Sequence, residues 1–115
     1  MTRTTTEAGR RAEDRALAYL LQQGLRLVER NARSRGGELD LVMSDGATLV
    51  FVEVRQRGSR RFGGAAASIT AVKRARLWRS AQCFLRHYAV VPPCRFDAVC
   101  IDDDELTWLK HIVMT

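Results

Sequence analysis

The stretch Gly36–Arg57, GGELDLVMSDGATLVFVEVRQR, decides the reading of this chain. Two runs of alternating character, Glu38–Ser44 and Thr48–Gln56, flank Asp45-Gly46. That dipeptide signals a hairpin, because both central positions of a type I′ turn need positive φ. Side chains alternate faces along a strand. Leu39, Leu41 and Met43 are therefore expected on one face, with Glu38, Asp40 and Val42 on the other. On the partner strand Val50, Val52 and Val54 oppose Phe51, Glu53 and Arg55. A two-residue turn at Asp45-Gly46 pairs Ser44 with Ala47, hence Asp40 with Phe51 and Glu38 with Glu53. A register two residues longer sets Asp40 directly across from Glu53 and changes no face. Cross-strand partners share a face, so either register gathers Glu38, Asp40, Glu53 and Arg55.

Carboxylates brought together repel, and burial adds to the cost. A divalent cation removes the conflict. Magnesium favours one or two carboxylates together with waters and phosphate oxygens, and the backbone carbonyl of Val54 is a further donor here. The plainer reading is a solvated face on which Arg55 pairs with Glu38 and Asp40, an arrangement worth little. Two other residues weigh against it. Glu13 falls inside the apolar stripe of a predicted helix, four residues before Leu17 and seven before Leu20. Lys73 falls four residues after Ile69 and four before Leu77 on the apolar side of another. A lone charge in such a place is expensive unless it is paired, metal-bound or able to reach water along its stem.

Outward from the hairpin, residues Glu7 to Gln23 carry Ala12, Ala16, Leu17, Leu20 and Leu21 at helical spacing, and Gly24 supplies a stop. Thr4 and Glu7 have the spacing of a capping box. Leu25–Asn31 reads as a strand with Leu25 and Leu27 facing one way, and Arg33–Gly37 as a turn. Residues Arg57 to Ala67 are basic and glycine-rich and read as a mobile loop. A second helix is predicted over Ser68–Tyr88, on Ile69, Val72, Leu77, Ala81, Phe84, Leu85 and Tyr88. Pro92-Pro93 breaks the chain before two last strands, Arg95–Ile101 and Leu106–Ile112, around the acidic turn Asp102–Glu105. The expectation is an α/β fold, a mixed sheet flanked by helices in the order α-β-β-β-α-β-β.

With 115 residues, 46% of them hydrophobic, the chain has the size and core of one domain spanning residues 1–115. No apolar run approaches the roughly 18 residues needed to span a bilayer, and the start of the chain has no apolar stretch of a secretory signal. These features point to a cytoplasmic protein without a membrane partner. Cys83, Cys94 and Cys100 are odd in number and lack C-x-x-C spacing, which favours neither disulfides nor zinc; they read as buried small apolar residues. Nineteen Lys and Arg against thirteen Asp and Glu give a formal charge of +6, which favours a polyanionic partner. Trp78 and Trp108 have the chemistry to stack on bases, although tryptophans on helices and strands are more often core.

The segments GGELDLV, LVFVEVRQR, GGAAASI with the lysine that follows, and CRFDAV together resemble the YraN family of bacterial proteins over nearly the whole chain. That resemblance implies the fold of restriction endonucleases and archaeal Holliday junction resolvases. In that fold a helical acid, an aspartate and an E-x-K tripeptide form the catalytic centre. By motif, Glu13 matches the helical acid, Asp40 the aspartate and Glu53 the glutamate, while Arg55 stands where the lysine is expected. The implied activity is magnesium- or manganese-dependent hydrolysis of phosphodiester bonds in DNA, with branched DNA suggested by the resolvases. Asp40, Glu53 and the Val54 carbonyl would hold the metal, Glu38 and Glu13 would orient ligands, and Arg55 with Lys73 would face the phosphate. Arg57, Arg60 and Arg61 are candidates for neighbouring phosphates, or else belong to a solvated turn. Arginine stays protonated and cannot act as a general base, so a nucleic-acid-binding module without turnover is the alternative, and a protein-interaction domain a third. The resolvase resemblance also implies a homodimer, since a four-way junction presents symmetric strands.

Overall fold

The computed structural model describes residues 6–59 and 61–113. In chain order these form α1 (Glu7–Gln22), β1 (Arg26–Ser34), β2 (Gly37–Asp45), β3 (Thr48–Arg57), the helical turn α2 (Gly64–Ala67), α3 (Ala71–Leu85), β4 (Cys94–Asp102) and β5 (Glu105–Leu109). The five strands make one mixed sheet in the order β1-β2-β3-β4-β5. β3 and β4 run parallel, and the other neighbouring pairs are antiparallel. The expected α/β class and element order hold, with α2 added before α3. Among the described residues no helix is long and apolar enough to cross a membrane.

Each face of the sheet carries its own core. α1 places Ala12, Ala16 and Leu20 against Leu41, Met43, Val50, Val52, Val99 and Ile101. α3 places Leu77, Ala81 and Leu85 against Val42, Phe51 and Phe96 on the opposite face, and Ala65 and Ile69 extend that layer over Ala98 and Cys100. β3 is covered on both sides, so Val50, Phe51 and Val52 have no exposed surface. A strand with a parallel neighbour and helices on both faces reads as a continuous apolar run rather than an alternating one, and LVFV is that run.

The hairpin adopts the longer register: Asp45 pairs with Thr48, Met43 with Val50 and Leu41 with Val52. Gly46 has φ 60 while Ala47 keeps a negative φ. That is the demand of a type II′ turn, which needs glycine only at its first central position. The turn is thus Gly46-Ala47, and Asp45 is free to pair. Leu39 departs from strict alternation and joins Val42 and Phe51 instead of Leu41 and Met43. Its cause is on the neighbouring strand, where Asn31, at φ 54, interrupts the pleat between the pairs Arg30↔Leu41 and Ala32↔Leu39. A register shift between Leu27 and Glu29 turns the start of β1 outward, so Leu27 is exposed although Leu25 is buried.

Several boundaries differ from expectation for local reasons. The cap of α1 is Thr6, whose hydroxyl accepts the Gly9 N–H at 3.0 Å; Thr4 lies outside the described residues. α3 begins at Ala71 because the Thr70 hydroxyl accepts the Lys73 N–H at 3.2 Å. Val72 and Leu21 are exposed, off the buried stripes. The stretch read as a loop is regular only at its ends: Arg57 ends β3, and an irregular turn at Arg61–Gly63, with Phe62 and Gly63 at positive φ, leads into α2. β5 stops at Leu109, although the Ile112 N–H still reaches the Phe96 carbonyl at 2.7 Å. Of the three thiols only Cys100 is buried; Cys83 is half-buried, Cys94 exposed, and all are free.

One buried charge ties the far side of the sheet together. Asp97 has no exposed surface. Its carboxylate accepts from Arg95 Nε at 3.1 Å, from Trp108 Nε1 at 3.0 Å and from the His111 N–H at 3.1 Å. Arg95 Nη1 continues to Asp45 at 3.2 Å. Trp108 is therefore a structural residue, set edge-on to Tyr19 at 6.2 Å. Removing one partner of a buried pair strands the other charge. Asp97→Ala is expected to lose about 3–5 kcal/mol in urea unfolding; a loss under about 1 kcal/mol would show that Asp45 alone suffices to hold Arg95.

Candidate active site

The β2–β3 ladder runs from Asp45↔Thr48 to Leu41↔Val52, and its continuation sets Asp40 opposite Glu53. There a side chain replaces the ladder bond: the Asp40 carboxylate accepts the Val54 N–H at 2.9 Å. The N–H and C=O of one strand residue project to the same side, so the Val54 carbonyl faces the same gap. Burial pushes the Glu53 carboxyl up to about 7, and the neighbouring Asp40 charge adds to this. Arg55 pulls it back, a hydrogen bond with Asp40 raises it again, and Lys73 lowers it more weakly. Asp40 and Glu53 are thus in contact, and the pair resists carrying two negative charges at once.

Arg55 is held from behind. Its Nε donates to Ser68 Oγ at 2.9 Å, and its Nη1 stands 3.6 Å from Glu53 Oε2. The Ser68 hydroxyl donates to the Ala65 carbonyl at 2.5 Å, and the Ala65 N–H donates to buried Asp102 at 2.7 Å. A chain of hydrogen bonds therefore runs from the end of β4 through α2 to the Arg55 guanidinium. Gly64 permits it, since a Cβ there would collide with Asp102 Oδ1. Ser68, Ala65 and Asp102 escape sequence reasoning because they act at separations of up to 37 residues. The only local signal is glycine at Gly63-Gly64, where φ is positive at both positions.

A cleft of about 650 Å³ brings Glu13, Glu38, Asp40, Glu53, Arg55 and Lys73 to one opening. Glu13 is buried within α1, as its place in the stripe implies, and lies 3.9 Å from Arg30 Nη2, whose nearer partner is Asp14 at 2.5 Å. Glu38 pairs with Arg33 at 3.2 Å. Lys73 is half-buried at the start of α3. Arg57 stands on the rim, whereas Arg61 lines a separate hollow beside Phe62. Arg60 lies outside the described residues.

Among the described residues no group of three or more His, Cys, Asp or Glu is close enough to hold a metal ion. The expected gathering of three carboxylates is therefore reduced to the Asp40–Glu53 pair, with Glu38 drawn toward Arg33 and Glu13 toward Arg30. Two carboxylates and a carbonyl, open to solvent on one side, still fit magnesium or manganese, which keep several waters and need few protein ligands.

Residues 12–101 match the model of the uncharacterised protein family UPF0102. The chain is 58% identical over 106 residues to a UPF0102 protein of Janthinobacterium sp. (strain Marseille), covering 92% of this chain and 86% of that one. It is 58% identical over 111 residues to one from Dechloromonas aromatica (strain RCB), with 94% and 89% covered. With one from Cupriavidus taiwanensis it shares 59% over 104 residues, with 90% and 79% covered. The match takes in α1 from Ala12 onward with Glu13, the whole β2–β3 hairpin, α3 and β4 up to Ile101, and the chain belongs to the uncharacterised family UPF0102, the YraN family that its motifs resemble.

Proposed function

We propose that the cleft is a metal-assisted phosphodiesterase site acting on DNA, with magnesium or manganese held by Asp40, Glu53 and the Val54 carbonyl. The observation that carries this reading is the contact of Asp40 with Glu53, a half-buried carboxylate pair that a divalent cation would relieve. The resemblance to restriction endonucleases and archaeal Holliday junction resolvases supports it and makes branched DNA the first substrate to try. A cytoplasmic homodimer goes with the same reading.

When bound, such an ion polarises a phosphate oxygen and acidifies a coordinated water. The chain's own residues do the rest. Asp40 is oriented by the Val54 N–H. Arg55, with its Nε occupied by Ser68, presents the rest of its guanidinium toward the cleft, where it stabilises charge that builds on phosphorus. Lys73 adds a second cation at the same opening. Arg55 cannot take a proton, and absence of a protein base costs roughly 10²–10⁴-fold in rate. That feature favours the second reading, a module that binds nucleic acid without cutting it.

The test is cleavage of labelled duplex, single-stranded and four-way-junction DNA with magnesium or manganese. The native protein is expected to cut at least one of them, and Asp40→Asn, Glu53→Gln, purified in parallel, to cut none. Equal cutting by both preparations, or by neither, removes the hydrolytic reading.

Metal binding carries its own pH signature. Ligating carboxylates must be deprotonated, and Glu53 gives up its proton near 7. Manganese affinity, followed by electron paramagnetic resonance, is therefore expected to rise about tenfold per pH unit below 7 and then level off. A flat profile from pH 5 to 8 would remove Glu53 from the ligand set.

Without metal the same pair costs stability. Glu53 binds its proton more tightly folded than unfolded, so its contribution to stability is full below pH 4.5 and is lost as pH rises through about 7. Glu53→Gln is expected to stabilise the metal-free protein by about 1–3 kcal/mol at pH 8, raising the melting temperature by several degrees. The gain should shrink toward pH 5; a destabilised variant at pH 8 would mean that the Arg55 ion pair outweighs the burial cost.

A further inference from the structure

The acidic cleft does not end at Asp40 and Glu53. It shares Glu38, Glu53, Lys73 and Arg76 with a smaller hollow bounded by Gly36, Gly37 and Ser80. That hollow shares Ser80 with a third, which holds Arg33, Arg35, Arg86 and His87. The three lie in a row along α3, a groove crossed between the second and third hollows by the β1–β2 turn where it meets the helix. The turn is pressed onto the helix: a Cβ on Gly36 would lie 2.8 Å from the Arg79 carbonyl oxygen, and one on Gly37 2.9 Å from Ser80 Oγ. Only glycines let Arg33 and Arg35 stand this close to the far end of α3.

The groove has acids at its cleft end and Glu29 in the third hollow, and basic side chains, Lys73, Arg76, Arg33, Arg35 and Arg86, along its length. α3 has no Asp or Glu; of its cations Lys73 and Arg76 line the groove, while Arg74 and Arg79 lie off it. Arg35, Arg76 and Arg86 are exposed. Arg33 is committed in part to Glu38. From Lys73 to Arg86 the helix rises about 20 Å, a length that matches about six nucleotides of one strand of a duplex. Guanidinium groups present paired donors suited to phosphate oxygens.

We propose that this groove holds the sugar–phosphate backbone of a nucleic acid and leads it to the Asp40–Glu53 cleft, so that α3 and the β1–β2 turn, rather than the stretch around Arg61, form the main contact surface. The assignment deepens the hydrolytic reading by naming the path of its substrate, and it rests on that reading only for where the path ends. Binding along the groove needs no metal. An acidic protein segment is the competing occupant; basic side chains spread over about 20 Å, the length of about six nucleotides, favour the nucleic acid.

The test measures binding of a fluorescent 20-base-pair duplex to the full chain in EDTA, between 50 and 300 mM NaCl. The variant is Arg35→Ala, Arg76→Ala, Arg86→Ala. A charge-matched control is Arg10→Ala, Arg26→Ala, Lys110→Ala, three exposed cations away from the groove. Thermal melts confirm that both fold. The groove variant is expected to weaken binding at least tenfold more than the control. It should also lower the slope of log affinity against log salt by about 2–3, roughly 0.9 for each phosphate that is no longer neutralised. Equal weakening in both variants would reduce the effect to net charge and overturn the proposal. So would a native protein that binds no duplex but holds a polyglutamate peptide through the same arginines. If the groove variant alone loses binding while the native protein cuts nothing with magnesium or manganese, the groove stands and the hydrolytic reading falls.

Discussion

Parallel pairing of β3 with β4, from Leu49↔Cys94 to Arg57↔Asp102, is the constraint on which the rest of this structure depends. Two parallel neighbours cannot be joined by a tight turn; the chain must cross over through a dozen or more residues. Here the crossover is α2 and α3. It must cover the sheet face that α1 leaves open, and in doing so it lays Leu77, Ala81 and Leu85 over Phe51 and Phe96. The start of α3 then falls beside the end of β3, where the apolar run LVFV gives way to Glu53 and Arg55. Lys73 reaches the cleft, and Ser68 reaches the back of Arg55, because the crossover begins there.

The same strand thus has two jobs that conflict. Its first half is the most buried part of the molecule, and its second half holds a carboxylate half out of water against another carboxylate. A carboxyl pushed up to about 7 is a sign that burial has won over solvation, since each pKa unit corresponds to about 1.4 kcal/mol. Ion pairs are arranged to contain the cost: Arg55 against Glu53, Arg33 against Glu38, and Arg30 near Glu13. Arg55 is in turn fixed by Ser68 and not left to swing. Local instability kept in place by surrounding structure is what a site for binding or chemistry commonly shows.

The electrostatics divide by scale. Within the cleft the nearest groups are negative, whereas α3 and the β1–β2 turn around it are positive. A polyanion alone would be drawn to the outer surface and repelled at the centre, and a cation between the carboxylates would reverse that central repulsion. This arrangement gives the formal charge of +6 a direction that composition cannot supply, since net charge says nothing about placement.

What the sequence determined was everything that depends on short spacing. Alternation fixed the hairpin and the shared face of Asp40, Glu53 and Arg55, and helical periodicity exposed Glu13 and Lys73 as charges in apolar stripes. The α/β order followed from the same two periods. Spacing left the register open between two values, and the choice fell to a turn in which only Gly46 takes positive φ. The displaced face of Leu39 depended on Asn31 of another strand, which no pattern within β2 could reveal. The sequence also marked Glu38 and Glu13 as residues that orient ligands in the site; their arginine neighbours Arg33 and Arg30 became visible only once β1 was laid beside β2 and α1. The support of Arg55 by Ser68, Ala65 and Asp102, and the groove running from Lys73 to Arg86, exist only in the folded chain. Both join residues far apart in sequence through hydrogen bonds or proximity, and such contacts carry no periodicity for a sequence to display.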